Sequence, residues 1–156
     1  MNSKYEINTK ENREFLKASC EELLNFGHRF PSPNGGSYYL GDDGTPWKDR
    51  NRETWITCRM AHVYSLGLML GHEGSGELAD AALKGLKGEL HDEKNGGWYA
   101  GVTPEGGIVP NKQCYAHAFV ILAASSALTA GRPGAKELLE EALDVYDQHF
   151  WNEEEG

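Results

Sequence analysis

The sequence predicts an all-α fold, the N-terminal part of a longer toroid of helical hairpins, and three observations carry that prediction. Five segments have the apolar spacing of helices and are separated by glycine-rich turns. Two of them are apolar nearly all round while three carry charge on one face, which sorts them into an inner and an outer layer. A unit of about sixty residues recurs along the chain.

The first outer helix spans residues 10–27, KENREFLKASCEELLNFG. It places Phe15, Leu16, Cys20, Leu23, Leu24 and Phe26 mostly three and four residues apart, and Gly27 suits a helix end. Residues 53–71, ETWITCRMAHVYSLGLMLG, form the first inner helix, and residues 75–91, SGELADAALKGLKGELH, the second outer one. Residues 111–131, NKQCYAHAFVILAASSALTAG, are the second inner helix, and residues 134–151, GAKELLEEALDVYDQHFW, the third outer one. His28, His91 and His149 recur at the outer-helix ends, 63 and 58 residues apart, where a cation complements the helix dipole. The double glycines Gly35-Gly36 and Gly96-Gly97 are each followed by aromatic residues and a short extended or hairpin excursion. "AHVY" and "AHAF" place His62 and His117 55 residues apart, so the repeat pairs them and predicts a shared structural job between neighbouring helices.

The third unit begins at the last outer helix and reaches its glycine at Gly156 in "FWNEEEG". Residues 1–156 are therefore expected to form a single incomplete domain of about two and a half helical-hairpin repeats. Stacked repeats bury each apolar face on the next. An open end calls for completion by a missing C-terminal half, or by another copy in a homo-oligomer.

Composition narrows the function classes. No apolar run reaches the roughly 18 residues of a membrane span, and "MNSKYEINTKENREF" has no signal-peptide core, so a cytoplasmic protein without membrane contact is expected. The net charge of −9, with scattered lysines and arginines, argues against nucleic acid as a partner. Cys20, Cys58 and Cys114 are far apart, lack a CxxC and fall in apolar helical patterns, which reads as buried free thiols. There is no HxxxH for a metal, His149 with Glu153 being a weak candidate, and no GxGxxG or phosphate loop for a nucleotide. Neither metal nor cofactor is expected.

The segments "TWITCRMAHVYSLG", "GGWYAGV", "KQCYAHAFVILAASSA", "GRPGAKELLEEAL" and "FWNEEEG" resemble, in that order, the N-terminal part of the N-acylglucosamine 2-epimerase superfamily, most closely its aldose-ketose isomerase branch with sulfoquinovose and mannose isomerases. The resemblance implies the N-terminal portion of an (α/α)6 toroid, with a monosaccharide in its central cleft. It implies an isomerase or epimerase that moves a proton between carbons next to a carbonyl through a cis-enediol. Such chemistry suits a histidine base and a donor for the developing oxyanion. The resemblance places the family's proton-transferring histidines in later repeats, so the catalytic residues are unknown here and the isolated chain is expected to be inactive.

Four residues are candidate sugar contacts. Arg59 interrupts an apolar inner helix, so its guanidinium either faces a wet, ligand-lined cavity or meets an acidic side chain of a neighbouring helix; the resemblance makes it a sugar-contacting arginine. Trp55 lies one turn earlier on the same face, as pocket wall or core. Tyr115 matches a substrate-contacting tyrosine of the family, with a core tyrosine as the other reading. His117 completes the set, although two residues along a helix it cannot face the cleft directly together with Tyr115. His72 follows the Gly71 stop as a turn residue. Two other functions stay open: a non-enzymatic helical-repeat binding scaffold, and a glycoside hydrolase-like toroid, for which Asp42-Asp43 is half of an acid pair if it is more than turn chemistry.

Overall fold

The computed structural model describes residues 3–154. A 3-10 turn at Ser3–Tyr5 leads into five α-helices: α1 (Lys10–Gly27), α2 (Thr54–Met69), α3 (Ser75–Leu86), α4 (Cys114–Thr129) and α5 (Ala135–His149). Thr9 caps α1, its hydroxyl accepting from Asn12 N–H at 3.1 Å. α2 packs against both α3 and α4, and α4 packs against α5. The inner and outer layers read from charge are thus the observed ones. The seam is rich in alanine, with Ala61, Ala79, Ala82, Ala123, Ala124, Ala127, Ala135 and Ala142 buried, so helix backbones approach closely. Among the described residues no helix is long and apolar enough to cross a membrane.

The excursions are hairpins. β1 (Tyr39–Leu40) pairs with β2 (Pro46–Trp47), Tyr39 opposite Trp47. β3 (Arg52–Glu53) pairs with β4 (Gly101–Val102), which pairs with β5 (Ile108–Val109), so the start of α2 is sewn to the second excursion. A Thr54 hydroxyl bond to Tyr99 O at 2.6 Å and a Thr54 N–H bond to Ala100 O at 3.0 Å continue that seam.

The true repeat register is 60 residues, and it corrects the pairing of His62 with His117. Tyr38 N–H bonds Phe30 O and Tyr99 N–H bonds Leu90 O, both at 2.9 Å. Ser37 N–H donates to Thr57 Oγ1 at 3.0 Å, and Trp98 N–H donates to His117 Nε2 at 3.1 Å. The counterpart of His117 is therefore Thr57. His62 bridges the inner helices instead, its ring bonded to Ser126 of α4 at 2.6 Å; Ser126 gives its hydroxyl proton to Leu122 O, so His62 Nδ1–H is the donor. The outer-end histidines are not a repeat set either. His28 caps α1, His149 ends α5, and His91 lies beyond the end of α3, where it bonds Glu141 of α5 at 2.5 Å.

A cation repeats with the same register. Arg52 donates to Gly35 O at 2.7 Å and pairs with Glu89, while Lys112 donates to Gly96 O and pairs with Asp92 at 2.8 Å. Each grips the first glycine of a double-glycine turn. The outer helix then sits directly on the first turn: a Cβ at Gly85 of α3 would fall 2.3 Å from Gly36 N. Trp98, fully buried, closes the second turn with its indole N–H on Leu86 O at 2.8 Å.

Other expectations change in detail. α3 ends at Leu86 rather than 91, because Gly88 and the turn that follows it break the ladder. Gly27 is not a left-handed cap; it is glycine because a Cβ there would lie 2.5 Å from the Tyr64 hydroxyl, which bonds Leu24 O. All three cysteines are free, but only Cys58 is buried, and Cys114 at the first turn of α4 is exposed beside the Tyr146 hydroxyl. The glycine expected at Gly156 lies outside the described residues. The inner helices are not covered all round: Val63, Leu66 and Met69 of α2 and Leu122 and Leu128 of α4 are exposed.

Gly97 has φ +74° and its Cβ would lie 2.7 Å from His117 Nε2, whereas Gly106 has φ +85° and open space. Gly97→Ala should therefore cost about 3 kcal/mol, strain and overpacking together, and Gly106→Ala about 1 kcal/mol for strain alone. Urea unfolding of the two variants measures the difference.

Candidate functional site

α2 and α4 lie side by side, and the 60-residue register sets equivalent positions level with each other. Trp55 is level with Tyr115, and Arg59 with Phe119. Within each helix the two residues are four apart and so share a face. The Arg59 guanidinium stacks 4.8 Å from the Trp55 ring centre and 5.0 Å from that of Phe119. Its Nη2 donates to the Tyr115 hydroxyl at 3.3 Å. The Trp55 and Tyr115 rings are 6.1 Å apart, and Tyr115 meets Phe119 edge-on at 4.9 Å. Each cation–π contact at such an exposed place contributes roughly 0.5–1 kcal/mol, enough to hold the guanidinium plane over the rings.

Three of the four sequence-derived candidates are thus brought together. Arg59 is exposed and has no carboxylate partner among the described residues, so of its two readings the open, wet surface is the observed one. Tyr115 is 55% exposed and Trp55 half-buried. Phe119 was missed. Its signal was available, four residues after Tyr115 and sixty after Arg59, but the 55-residue pairing of the histidines hid it.

His117 is not part of this surface. It is fully buried behind it, with Nε2 accepting from Trp98 N–H and Nδ1–H donating to Gln113 O at 2.8 Å, so both ring nitrogens are used within the protein and the ring is neutral. Burial lowers its pKa, and the positive charges of Lys112 and His149 push the same way against the Gln113 bond.

A second pair flanks the surface. Tyr39 of β1 meets Trp55 edge-on at 6.4 Å and donates its hydroxyl to Glu53, the residue before α2. Burial first, then the bond and charge of Glu53, raise the Tyr39 pKa to about 12, so the phenol keeps its proton. Asp43, by contrast, accepts from Thr45 N–H and hydroxyl at 2.9 and 2.8 Å and is a turn residue, as the sequence reads. Among the described residues no group of three His, Cys, Asp or Glu is placed to hold a metal ion.

Chemically, the surface offers flat aromatic faces, a guanidinium with free donors and a phenol. That combination suits a polyhydroxylated ligand whose C–H faces stack and whose oxygens accept hydrogen bonds.

An inner and an outer layer of helical hairpins, joined by glycine turns and short β-hairpins, define the class of helical toroids. The sequence model of the N-acylglucosamine 2-epimerase (GlcNAc 2-epimerase) family matches residues 35–156, and the chain belongs to that family. It is 41% identical over 145 residues to a D-mannose isomerase of Thermobifida fusca, covering 92% of this chain and 36% of that protein. It is 35% identical over 150 residues to a D-mannose isomerase of Pseudomonas cannabina pv. alisalensis, covering 96% and 36%. Among solved structures, a D-mannose isomerase superposes with a TM-score of 0.81 at 24% identity, over 96% of this chain and 38% of the other. The cellobiose 2-epimerase of Bacillus thermoamylovorans gives 0.76 at 25%, over 92% and 39%. The chain spans little more than a third of the length of these relatives, and its fold is that of a portion of the (α/α)6 toroid.

The depressed pKa of His117 has a stability consequence. Below the ordinary value of 6.5 the unfolded chain binds a proton that the folded ring refuses, so this contribution is complete above pH 6.5 and is lost as pH falls towards the lowered value. Equilibrium unfolding from pH 7.5 downward should show that loss, and His117→Gln, whose amide oxygen can still accept from Trp98 N–H, should flatten it.

Proposed function

We propose that this chain supplies part of the sugar cleft of an aldose–ketose isomerase acting on mannose-like or sulfoquinovose-like sugars through a cis-enediol. The observation that carries the reading is the level set of Trp55, Arg59, Tyr115 and Phe119 on two inner helices, in a chain of this family similar to D-mannose isomerases. In this reading a pyranose or open-chain sugar lies against the aromatic faces. Arg59 and Tyr115 donate to the oxygen that gains negative charge when the neighbouring carbon loses its proton, which lowers the barrier where charge develops. The base that takes that proton and returns it to the adjacent carbon is outside this surface, since His62 and His117 are held between helices. The exposed apolar stripe of α2 and α4 supports completion of the cleft by further helical hairpins. The single incomplete domain and the inactivity of the isolated 156-residue chain follow as parts of the same proposal.

The test uses the full gene product with D-mannose, sulfoquinovose and cellobiose as substrates. D-mannose or sulfoquinovose should be isomerised. Arg59→Ala should lower kcat/KM by about 100-fold or more, the effect of losing one oxyanion donor, with an unchanged melting temperature because the side chain is exposed. Arg59→Lys should recover only part of the loss, since an ammonium cannot reproduce the stacked plane. Full-length protein with no turnover of any aldose, or an unimpaired Arg59→Ala, would overturn the reading.

A further inference from the structure

The stacked set is rich in donors and positive charge, but a sugar's hydroxyls must also donate. Glu53 stands where an acceptor is needed. It occupies the N-cap position of α2, yet its side chain makes no capping bond to the helix. Its backbone is pinned opposite Gly101, where a Cβ would lie 2.8 Å from Arg52 O, so the strand pair cannot shift. The carboxylate is turned instead towards Tyr39, whose hydroxyl takes one oxygen, Oε2. The other, Oε1, has no hydrogen-bond partner among the described residues, and the residue is half-exposed. Tyr39 in turn leans edge-on against Trp55, the ring beneath Arg59. A continuous row therefore runs from Glu53 through Tyr39 and Trp55 to Arg59 and Tyr115.

We infer that Glu53 is a further sugar-binding residue, accepting a hydroxyl of the substrate through Oε1, and that Tyr39 is the positioning residue that aims it. The inference rests on the isomerase reading of the cleft. Tyr39 fits the role because its proton is committed: it can donate to Glu53 across the working pH range without competing as a second anion. The carboxylate makes the charge-assisted bond that a neutral acceptor at the same place would make more weakly.

The experiment measures KM for D-mannose, and inhibition constants for 3-, 4- and 6-deoxy-D-mannose, on the full gene product and its Glu53→Gln, Tyr39→Phe and doubly substituted forms. Glu53→Gln should raise KM about 10-fold and more than it lowers kcat, as expected for a lost bond to a charged group. One deoxy sugar should bind the unsubstituted protein more weakly than the others, and Glu53→Gln should abolish that penalty. Tyr39→Phe keeps the ring on Trp55, and its smaller rise in KM should vanish in the Glu53→Gln background, the signature of acting through Glu53. Should Glu53→Gln fail to fold, Tyr39→Phe with the deoxy series decides alone. A KM within twofold and an unchanged deoxy pattern would overturn the inference while Arg59→Ala still abolishes turnover. Absence of turnover in the unsubstituted protein would remove the isomerase reading and this inference with it.

Discussion

A buried amide follows each double-glycine turn, and each finds its acceptor in a side chain of the inner helix: Thr57 for Ser37, His117 for Trp98. An unpaired N–H at such a depth would cost about 1–3 kcal/mol, so the bond fixes how far along the helix the turn can sit. From that point the rest of each unit is determined. The cation before the inner helix, Arg52 or Lys112, holds the turn from the other side. The outer helix α3 then closes on the first turn at backbone contact, where only Gly85 fits. The strand excursions leave in a direction that joins β3 to β4 and ties one unit to the next.

The repeat is consequently one of geometry with divided chemistry. A hydroxyl at Thr57 and an imidazole at His117 accept the same kind of bond, but only the imidazole adds a titrating group to the core. Arg59 and Phe119 share a level, one as cation and one as ring, and attract each other because they differ. Trp55 and Tyr115 likewise supply a wall and a donor. Two copies of one unit thereby produce an asymmetric surface, which a ligand with distinct faces and ends requires.

The amphipathic logic of the outer layer is weaker than that of the inner. α1 buries Leu24 but leaves Leu16 and Leu23 exposed, and α2 and α4 leave an apolar stripe on the side away from α3 and α5. The core, by contrast, is closed and polar groups within it are satisfied: among the described residues no buried side-chain nitrogen or oxygen lacks a partner. Stability therefore resides in the α2–α3–α4–α5 packing, and the open faces sit beside the surface proposed to bind sugar.

Much of this was legible in the chain. Helical periods, glycine turns, the two layers and the shared face of Trp55 and Arg59 depend on residues a few positions apart, and local spacing determines them. The sixty-residue unit and the motifs carrying the family resemblance were readable for the same reason. Only the tertiary structure decided the register between α2 and α4, and with it the exclusion of His117, the inclusion of Phe119 and the meeting of Tyr39 with Glu53. Matching histidines suggested 55 residues, but the register is set by backbone approaches at Gly36, Gly85 and Gly97 and by alanine contacts between helices. Those contacts are made by atoms common to all residues, and a pattern of side-chain types carries no record of where they meet.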